Sequence, residues 1–212
     1  MIRYLRNGMG TPALHGFVPV GLPSFTDTLK GYFYDPEKAR ELLKKAGFPE
    51  GKGLPPITIL TTGDYVDLIE FIQHETAALG IQIRIEVANG PVFRESVSNA
   101  RAASFRGSWV ADYPDAENYL ALFYSRNFSP AGPNYFHFRN AEFDRLYEQA
   151  AVTNDEAARF ALYRKMDRII INEAPVIPLF YDRVVRFVHS GISGMDSNPM
   201  NVLVLKKVAK YQ

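Results

Sequence analysis

Apolar positions in the first half of the chain alternate between the spacing of a strand and that of a helix. Ile57–Thr61 is a short run of apolar and β-branched residues, and Ile81–Val87 alternates apolar and polar side chains. Between them, apolar residues from Leu68 to Leu79 recur at helical spacing, and Gly80 ends that run. Period two is typical of a half-buried strand, and a spacing of three and four is typical of an amphipathic helix. A strand, a helix and a strand within about 30 residues therefore predict a βαβ unit with parallel strands.

Helices are predicted on both sides of this unit. One begins at Asp35, whose carboxylate can cap the first turn, continues through Pro36 and ends before Gly47. An acidic cap, a first-turn proline and a glycine after the last turn are start and stop signals of helices. Apolar spacing predicts further helices over residues 93–100, 117–124, 141–151 and 155–171. The last of these is predicted to be capped by Asn154 and broken at Pro175.

The remaining apolar runs predict strands and one ordered loop. The strands lie at residues 103–110, 176–181, 184–188 and 202–205. Residues 8–34 combine many glycines and prolines with aromatic side chains, which predicts an ordered loop packed on a surface. The whole pattern predicts an α/β or α+β fold with a mixed sheet, including the βαβ unit, flanked by helices.

Composition narrows the functional classes without selecting one. The chain has 212 residues, 47% of them hydrophobic, and a formal net charge of +1. It can therefore bury a core, and it has no overall field that would attract nucleic acid. The absence of cysteine excludes disulfides, thiolate metal sites and cysteine nucleophiles. The sequence contains no run of about 18 apolar residues, so no membrane helix is predicted. The first residues lack the apolar run of a signal peptide, so we expect either a cytosolic protein or a targeting segment outside this chain.

Motifs for metal, cofactor or covalent chemistry are missing. The four histidines are isolated in the sequence, and His74 has no second histidine four positions later. Metal sites usually take two ligands from one local segment. Neither a glycine-rich phosphate loop nor a G-x-S-x-G motif occurs. We therefore expect no metal site, no cofactor and no catalytic residue of these classes.

The strongest candidate for chemistry is the segment Arg106–Asp115. A predicted strand brings in Trp109, the only tryptophan of the chain, and Asp112 follows three residues later. In open α/β sheets, ligands bind in the crevice outside the carboxyl ends of the strands, which is where this segment lies. An aromatic ring beside a carboxylate suits a ligand with an ammonium group, through ion pairing and cation–π attraction. Simple turn chemistry is the alternative role for Asp112.

Two further acids keep other functions open. Asp115 and Glu117 lie close to Asp112 in the sequence, and paired carboxylates are the catalytic groups of glycoside hydrolases. A structural interpretation explains both acids: Asp115 can cap the helix that follows Pro114, and Glu117 then lies in its first turn. The residues alone leave three alternatives, which are a ligand-binding protein, a carboxylate-dependent hydrolase using Asp112 and Asp115, and a non-catalytic structural interaction module.

Five segments of the chain carry recognisable motifs. Tyr34–Gly47 reads YDPEKARELLKKAG, Gly80–Ile85 reads GIQIRI, Trp109–Asp115 reads WVADYPD, Asn140–Asp144 reads NAEFD, and Arg164–Phe180 ends in EAPVIPLF. In this order they resemble motifs of the bacterial extracellular solute-binding proteins of family 5, the oligopeptide- and dipeptide-binding components of ABC importers. The resemblance covers nearly the whole chain and is to the C-terminal part of such proteins.

The resemblance implies a non-catalytic substrate-binding component of an ABC importer, with an α/β fold. Such proteins have two hinged lobes that enclose a peptide, or a related amine-bearing solute, and deliver it to permease subunits in the inner membrane. It implies that Asp112 pairs with the α-amino group of the ligand and that Trp109 forms a wall of the cleft. It further implies that Arg106 reaches the ligand carboxylate and that Tyr113 also belongs to the ligand-binding set. No cofactor, metal or nucleic acid is implied.

The same resemblance implies a division of the chain. Residues 1–177 correspond to the C-terminal ligand-binding lobe, incomplete at its start. Residues 178–212 correspond to a segment that returns to the N-terminal lobe, which is missing here. The resemblance also implies a periplasmic or cell-surface protein, lipid-anchored at full length, and it attributes the missing signal peptide to truncation.

Overall fold

The structure, a computed structural model, describes residues 1–198 and 202–211. In chain order its helices and strands are α1 (Ile2–Leu5), β1 (Thr11–Pro12), α2 (Pro36–Lys45), β2 (Ile57–Thr61), α3 (Val66–Ala77), β3 (Ile83–Val87), α4 (Gly90–Ser98), α5 (Glu117–Leu120), α6 (Ala141–Ala151), α7 (Glu156–Glu173), β4 (Phe180–Tyr181), β5 (Ile192–Ser193) and β6 (Ala209–Lys210). Short 3₁₀ turns follow β2 at Gly63–Tyr65 and α5 at Ala121–Phe123. None of the described helices is long and apolar enough to cross a membrane.

The predicted βαβ unit is confirmed. β2 and β3 pair in parallel, from Ile57 opposite Ile83 to Thr61 opposite Val87. Most positions in both strands carry β-branched side chains, which suit a pleated surface. α3 connects the two strands, and the chain turns back to β3 at Gly80, where a φ of +76° favours glycine.

The third predicted strand, residues 103–110, touches this sheet at a single point. Phe105 forms an isolated parallel bridge with Leu60, and the Arg106 N–H donates to the Leu60 carbonyl at 2.9 Å. The chain then leaves the sheet because the Trp109 indole turns toward α5 and donates a hydrogen bond to a side chain there. The strand prediction for residues 103–110 is therefore wrong except at Phe105, which forms this one bridge.

The C-terminal strand predictions hold over two residues. Within residues 176–181 only β4 is a strand, and it pairs antiparallel with β1. Pro175 and Pro178 lack the N–H group that a ladder needs. Residues 184–188 and 202–205 form no strand in the described part of the chain, and most of their apolar side chains are exposed. Residues with strand-like side chains form a strand only where a neighbouring strand can pair with them. The described strands of this α/β fold form three two-stranded sheets.

The predicted helices form, with changes at their starts and ends. Asp35 caps α2 as predicted. α7 is capped by Asp155 and not by Asn154, because the Asp155 carboxylate accepts from the Ala158 N–H at 2.7 Å. α4 begins earlier than predicted because Asn89 caps it. The helix predicted near 117–124 consists of the one-turn α5 and the 3₁₀ turn that follows it.

The main core lies between α5, α6, α7 and the 3₁₀ turn after α5. Its fully buried side chains include Phe123, Phe143, Met166 and Ile170. The half-buried Trp109 packs against the same cluster. The candidate segment is therefore attached to the core through its tryptophan.

The glycine- and proline-rich segment 8–34 is ordered, as predicted, and Asp167 of α7 holds its middle. The Asp167 carboxylate accepts from the N–H groups of Phe17 at 2.8 Å and Val18 at 3.3 Å. Burial raises the pKa of Asp167 to about 6. A Cβ at Gly16 would lie 2.4 Å from this carboxylate, and φ is +113° there, so glycine is required. Phe17 is thereby placed edge-on against an aromatic side chain of α5.

Candidate functional site

The predicted site residues lie beyond the carboxyl end of the parallel strands. Phe105 bridges Leu60 near the end of β2, and the chain then runs from Arg106 to Asp112. The 3₁₀ turn that follows β2 brings Tyr65 to the same edge. This edge is where open α/β sheets bind ligands.

A buried asparagine on α5, Asn118, joins the two central candidates. Its Oδ1 accepts from the Trp109 Nε1–H at 2.8 Å and from the Asp112 backbone N–H at 3.2 Å. Its Nδ2 donates to Asp112 Oδ2 at 3.3 Å. Asn118 is 7% exposed. Asn118 thus links the Trp109 indole to the Asp112 carboxylate.

Asp112 retains a free acceptor toward solvent. The residue is exposed, and its Oδ2 accepts from Asn118, whereas its Oδ1 has no hydrogen-bond partner in the described part of the chain. The Trp109 N–H is used by Asn118, and its ring is partly buried against the core and partly exposed near Asp112. An ammonium group could therefore bind Asp112 Oδ1 beside an aromatic ring.

Asp112 is exposed, and Trp109 is partly exposed. Depressions of about 260 and 290 Å³ occur beside Leu60 and Gly80, and neither is lined by Asp112 or Trp109. A site of this kind needs a second surface to exclude water from the ion pair.

Arg106 lies in a separate aromatic and cationic cluster. Its guanidinium carbon is 3.3 Å from the centre of the Tyr65 ring, and burial lowers its pKa, with Tyr65 acting in the opposite direction. Arg6 approaches the same ring at 5.9 Å and lies 3.9 Å from Asp182. Arg106 makes no salt bridge to a carboxylate of the described residues. A half-buried guanidinium without a salt bridge is suited to an anionic group of a ligand.

The acids of the hydrolase alternative are engaged by neighbouring groups. Asp115 Oδ1 accepts from the Glu117 N–H at 2.8 Å and so satisfies a donor at the start of α5, although the N-cap residue is Ala116 and not Asp115 as predicted. The two carboxylate oxygens of Glu117 accept from the hydroxyls of Tyr113 and Tyr147. Burial, and then the bond to Glu117, raises the pKa of Tyr147. These contacts favour a structural role for both acids.

Tyr113 continues the candidate surface next to Asp112. It is 45% exposed, and its hydroxyl is held by Glu117. Burial and the bond to Glu117 raise the pKa of Tyr113, so the phenol stays neutral at physiological pH. The side chain can therefore contribute aromatic area to a cleft wall.

Asn118 and Tyr65 also contribute to the site, and neither was predicted as a site residue. Asn118 had a local signal, because asparagine is a poor helix former and here stands in the first helix after the WVADYPD motif. Tyr65 had none, since its contact with Arg106 joins residues 41 positions apart. Among residues 1–198 and 202–211, no three His, Asp or Glu side chains converge on a metal site.

Comparison with known proteins links this arrangement to a family. Residues 1–130 match the family described as "Bacterial extracellular solute-binding proteins, family 5 Middle". The chain is 31% identical over 193 residues to the glutathione-binding protein GsiB of Escherichia coli O6:K15:H31, an alignment of 88% of this chain and 37% of GsiB. It is 25% identical over 204 residues to the dipeptide-binding protein of Escherichia coli K12, covering 94% of this chain and 38% of that protein. The chain thus spans less than two fifths of these curated relatives.

The fold is also found in solved structures. The whole chain superimposes with a TM-score of 0.83 on 41% of the ABC transporter-associated periplasmic binding protein DppA from Helicobacter pylori in complex with the peptide STSA, at 28% identity. A dipeptide-binding protein from Pseudoalteromonas sp. SM9913 in complex with Met-Leu gives a TM-score of 0.83 over 99% of this chain, at 23% identity. The second likeness concerns the fold alone.

Proposed function

Because the chain belongs to the bacterial extracellular solute-binding proteins of family 5, we propose that it is the C-terminal lobe of a substrate-binding component of an ABC importer. The lobe captures a peptide, or a related amine-bearing solute, between itself and a second lobe. The observation that carries this proposal is Asp112, whose carboxylate is fixed beside Trp109 and keeps one oxygen unbonded. The named relatives support it, since they are described as binding glutathione, dipeptides and the peptide STSA.

Asp112 is the proposed partner of the ligand's α-amino group. Closure of a second lobe would remove water from the ion pair, which strengthens the attraction and also adds a desolvation cost. The two effects oppose each other, so the pair contributes to selectivity for a free amine as well as to affinity. Trp109 and Tyr113 supply aromatic area around the ammonium group.

Arg106 is the proposed partner of the ligand's carboxylate. It forms no salt bridge among the described residues, and Tyr65 holds its guanidinium. Arg106 and Asp112 are six positions apart in a non-helical segment, so their backbones are separated by at most about 20 Å. That limit accommodates a short peptide with its two charged ends on the same lobe.

We propose that residues 1–177 form this lobe and that residues 178–212 return to the second lobe. The support is the exposed apolar surface after β4, where Val184 and Val185 are 53% and 51% exposed and Phe187 is 98% exposed. Val202–Leu205 is similarly exposed. Two strand-like segments with bare apolar side chains are suited to pairing with a sheet that another part of the protein provides.

The proposed setting follows from the proposed role. A protein that hands a captured solute to inner-membrane permease subunits works in the periplasm or at the cell surface, and a lipid anchor at full length would keep it there. The closed two-lobed form would be the one that the permease recognises. Neither catalysis nor a cofactor is part of the proposed function.

Calorimetry with the full-length protein, comprising this lobe and the second lobe, tests the proposal. Dialanine, trialanine and glutathione are titrated separately, because all three carry an ammonium and a carboxylate and differ in length and charge. At least one should bind with a dissociation constant of about 10 μM or tighter, equivalent to roughly −7 kcal/mol. Absence of binding by all three peptides would contradict the proposed function.

A further inference from the structure

Asn118 connects the indole and the carboxylate of the proposed ammonium site. It receives hydrogen bonds from the Trp109 Nε1–H at 2.8 Å and the Asp112 N–H at 3.2 Å. It donates one hydrogen bond to Asp112 Oδ2 at 3.3 Å. All three bonds end on proposed ligand-binding residues.

Position 118 requires a side chain that can both donate and accept a hydrogen bond, as the amide of asparagine does. A primary amide offers both an acceptor and a donor, whereas an ionised carboxylate only accepts and an apolar side chain does neither. An apolar residue at 118 would leave the Trp109 N–H and the Asp112 N–H without their shared acceptor. Because Asn118 is 7% exposed, water could not easily replace the lost bonds.

The geometry determines which part of Asp112 remains available. Asn118 holds both Oδ2 and the backbone N–H of the same residue, so it fixes the main chain at Asp112 and one oxygen of its carboxylate. Oδ1 is left without a hydrogen-bond partner among the described residues. A carboxylate fixed before the ligand arrives loses less side-chain entropy on binding.

We propose that Asn118 is the positioning residue of the ammonium site: it fixes Asp112 against Trp109 so that Oδ1 accepts from the ligand's amine. This inference rests on the proposed function, and it adds that the preference for a free α-amine depends on a residue that does not touch the ligand. Its effect is transmitted through the orientation of Asp112.

A second buried asparagine provides a matched control. Asn134 is 0% exposed and also forms three side-chain hydrogen bonds, which end on the backbone of Tyr124 and Phe138. It organises the loop between α5 and α6 and makes none of its bonds to Trp109 or Asp112. Truncation of either asparagine removes a comparable set of buried bonds, but only one set belongs to the proposed site.

The test compares trialanine with N-acetyl-trialanine by calorimetry in the full-length protein. The wild type should prefer the free amine by about tenfold or more, which is roughly 1.4 kcal/mol. Asn118→Ala should reduce this preference by about fivefold. Asn134→Ala should leave the preference unchanged even where both affinities fall. The ratio of two affinities measured on one protein sample is insensitive to the fraction of folded protein.

A spectroscopic measurement on the 212-residue chain adds a readout that needs no ligand. Trp109 is its only tryptophan. Asn118→Ala should shift the emission maximum, because the indole N–H loses its acceptor, and Asn134→Ala should not. If Asn118→Ala is poorly folded, Asn118→Ser is used in its place. The single hydroxyl of serine cannot replace all three bonds, so this variant should also show a reduced preference for the free amine and a shifted emission maximum.

The possible outcomes separate this inference from the function on which it rests. A wild-type preference of about tenfold that survives both Asn118 substitutions would overturn the positioning role and leave the ammonium site intact. A wild type without any preference for the free amine would overturn the ammonium site, and the positioning role with it. A reduced preference in Asn134→Ala equal to that in Asn118→Ala would also overturn the inference, since the effect would then be a general loss of packing.

Discussion

Replacing Asp112 by asparagine is the most informative perturbation of the proposed site. Asp112→Asn removes the negative charge and keeps nearly the same shape. It also keeps an oxygen that can accept from the Asn118 amide, as Asp112 Oδ2 does. The indole of Trp109 should stay in place, because its own bond is to Asn118. A change in peptide affinity would therefore report the charge and not a collapse of the segment.

The expected magnitude follows from how exposed the carboxylate is. Truncating one partner of a fully desolvated charge pair costs about 2–5 kcal/mol. Asp112 is exposed in the described chain, and in the proposed function it is covered only when the second lobe closes, so we expect a loss at or just below the lower end of that range. A loss of about tenfold or more in trialanine affinity, roughly 1.4 kcal/mol, is the predicted result.

The assay is calorimetry on the full-length protein at pH 7, at low and at high salt. Asp64→Asn is the matched control, because Asp64 is an exposed acid in the turn after β2, at the same edge of the sheet. Asp112→Asn should lose affinity at both salt concentrations, and the control should bind like the wild type. Unchanged affinity in Asp112→Asn would remove Asp112 from the site. An equal loss in Asp64→Asn would assign the effect to general charge.

Three further predictions concern stability, the single lobe and the tryptophan. Since burial raises the pKa of Asp167 from 3.8 to about 6, the unfolded state ionises first as pH rises. The stability of the wild type relative to Asp167→Asn should therefore fall by up to about 3 kcal/mol between about pH 3 and 7, and a flat difference in urea unfolding would contradict this. The 212-residue chain alone should bind trialanine far more weakly than the full-length protein, and a dissociation constant of about 1 μM or tighter for the chain would refute the need for a second lobe. In the full-length protein, Trp109 emission should change on adding peptide, and it should stay constant if Trp109 lies outside the cleft.

Local patterns predicted much of the fold. The period-two run at Ile81–Val87 and the helical run before it produced a correct βαβ unit, because both strands find their partner within the same short segment. Asp35 was identified as a cap from the residues beside it. Features determined by neighbouring residues can be predicted from sequence.

Features that depend on distant partners could not be predicted in this way. Residues 103–110 have the composition of a strand, yet Trp109 is drawn away from the sheet by a bond to Asn118. Residues 184–188 are strand-like as well, and they have no β-partner in the described part of the chain. The same limit applies to the Arg106–Tyr65 contact, which depends on how the sheet edge folds.

A crystal structure of the full-length protein with trialanine is the decisive measurement for the ammonium site. The proposed site predicts that the α-amino nitrogen lies about 2.7–2.9 Å from Asp112 Oδ1, with Asn118 still bonded to Oδ2 and to the Trp109 indole. An α-amino group held by another carboxylate, with Asp112 turned toward solvent or paired with an arginine, would contradict it.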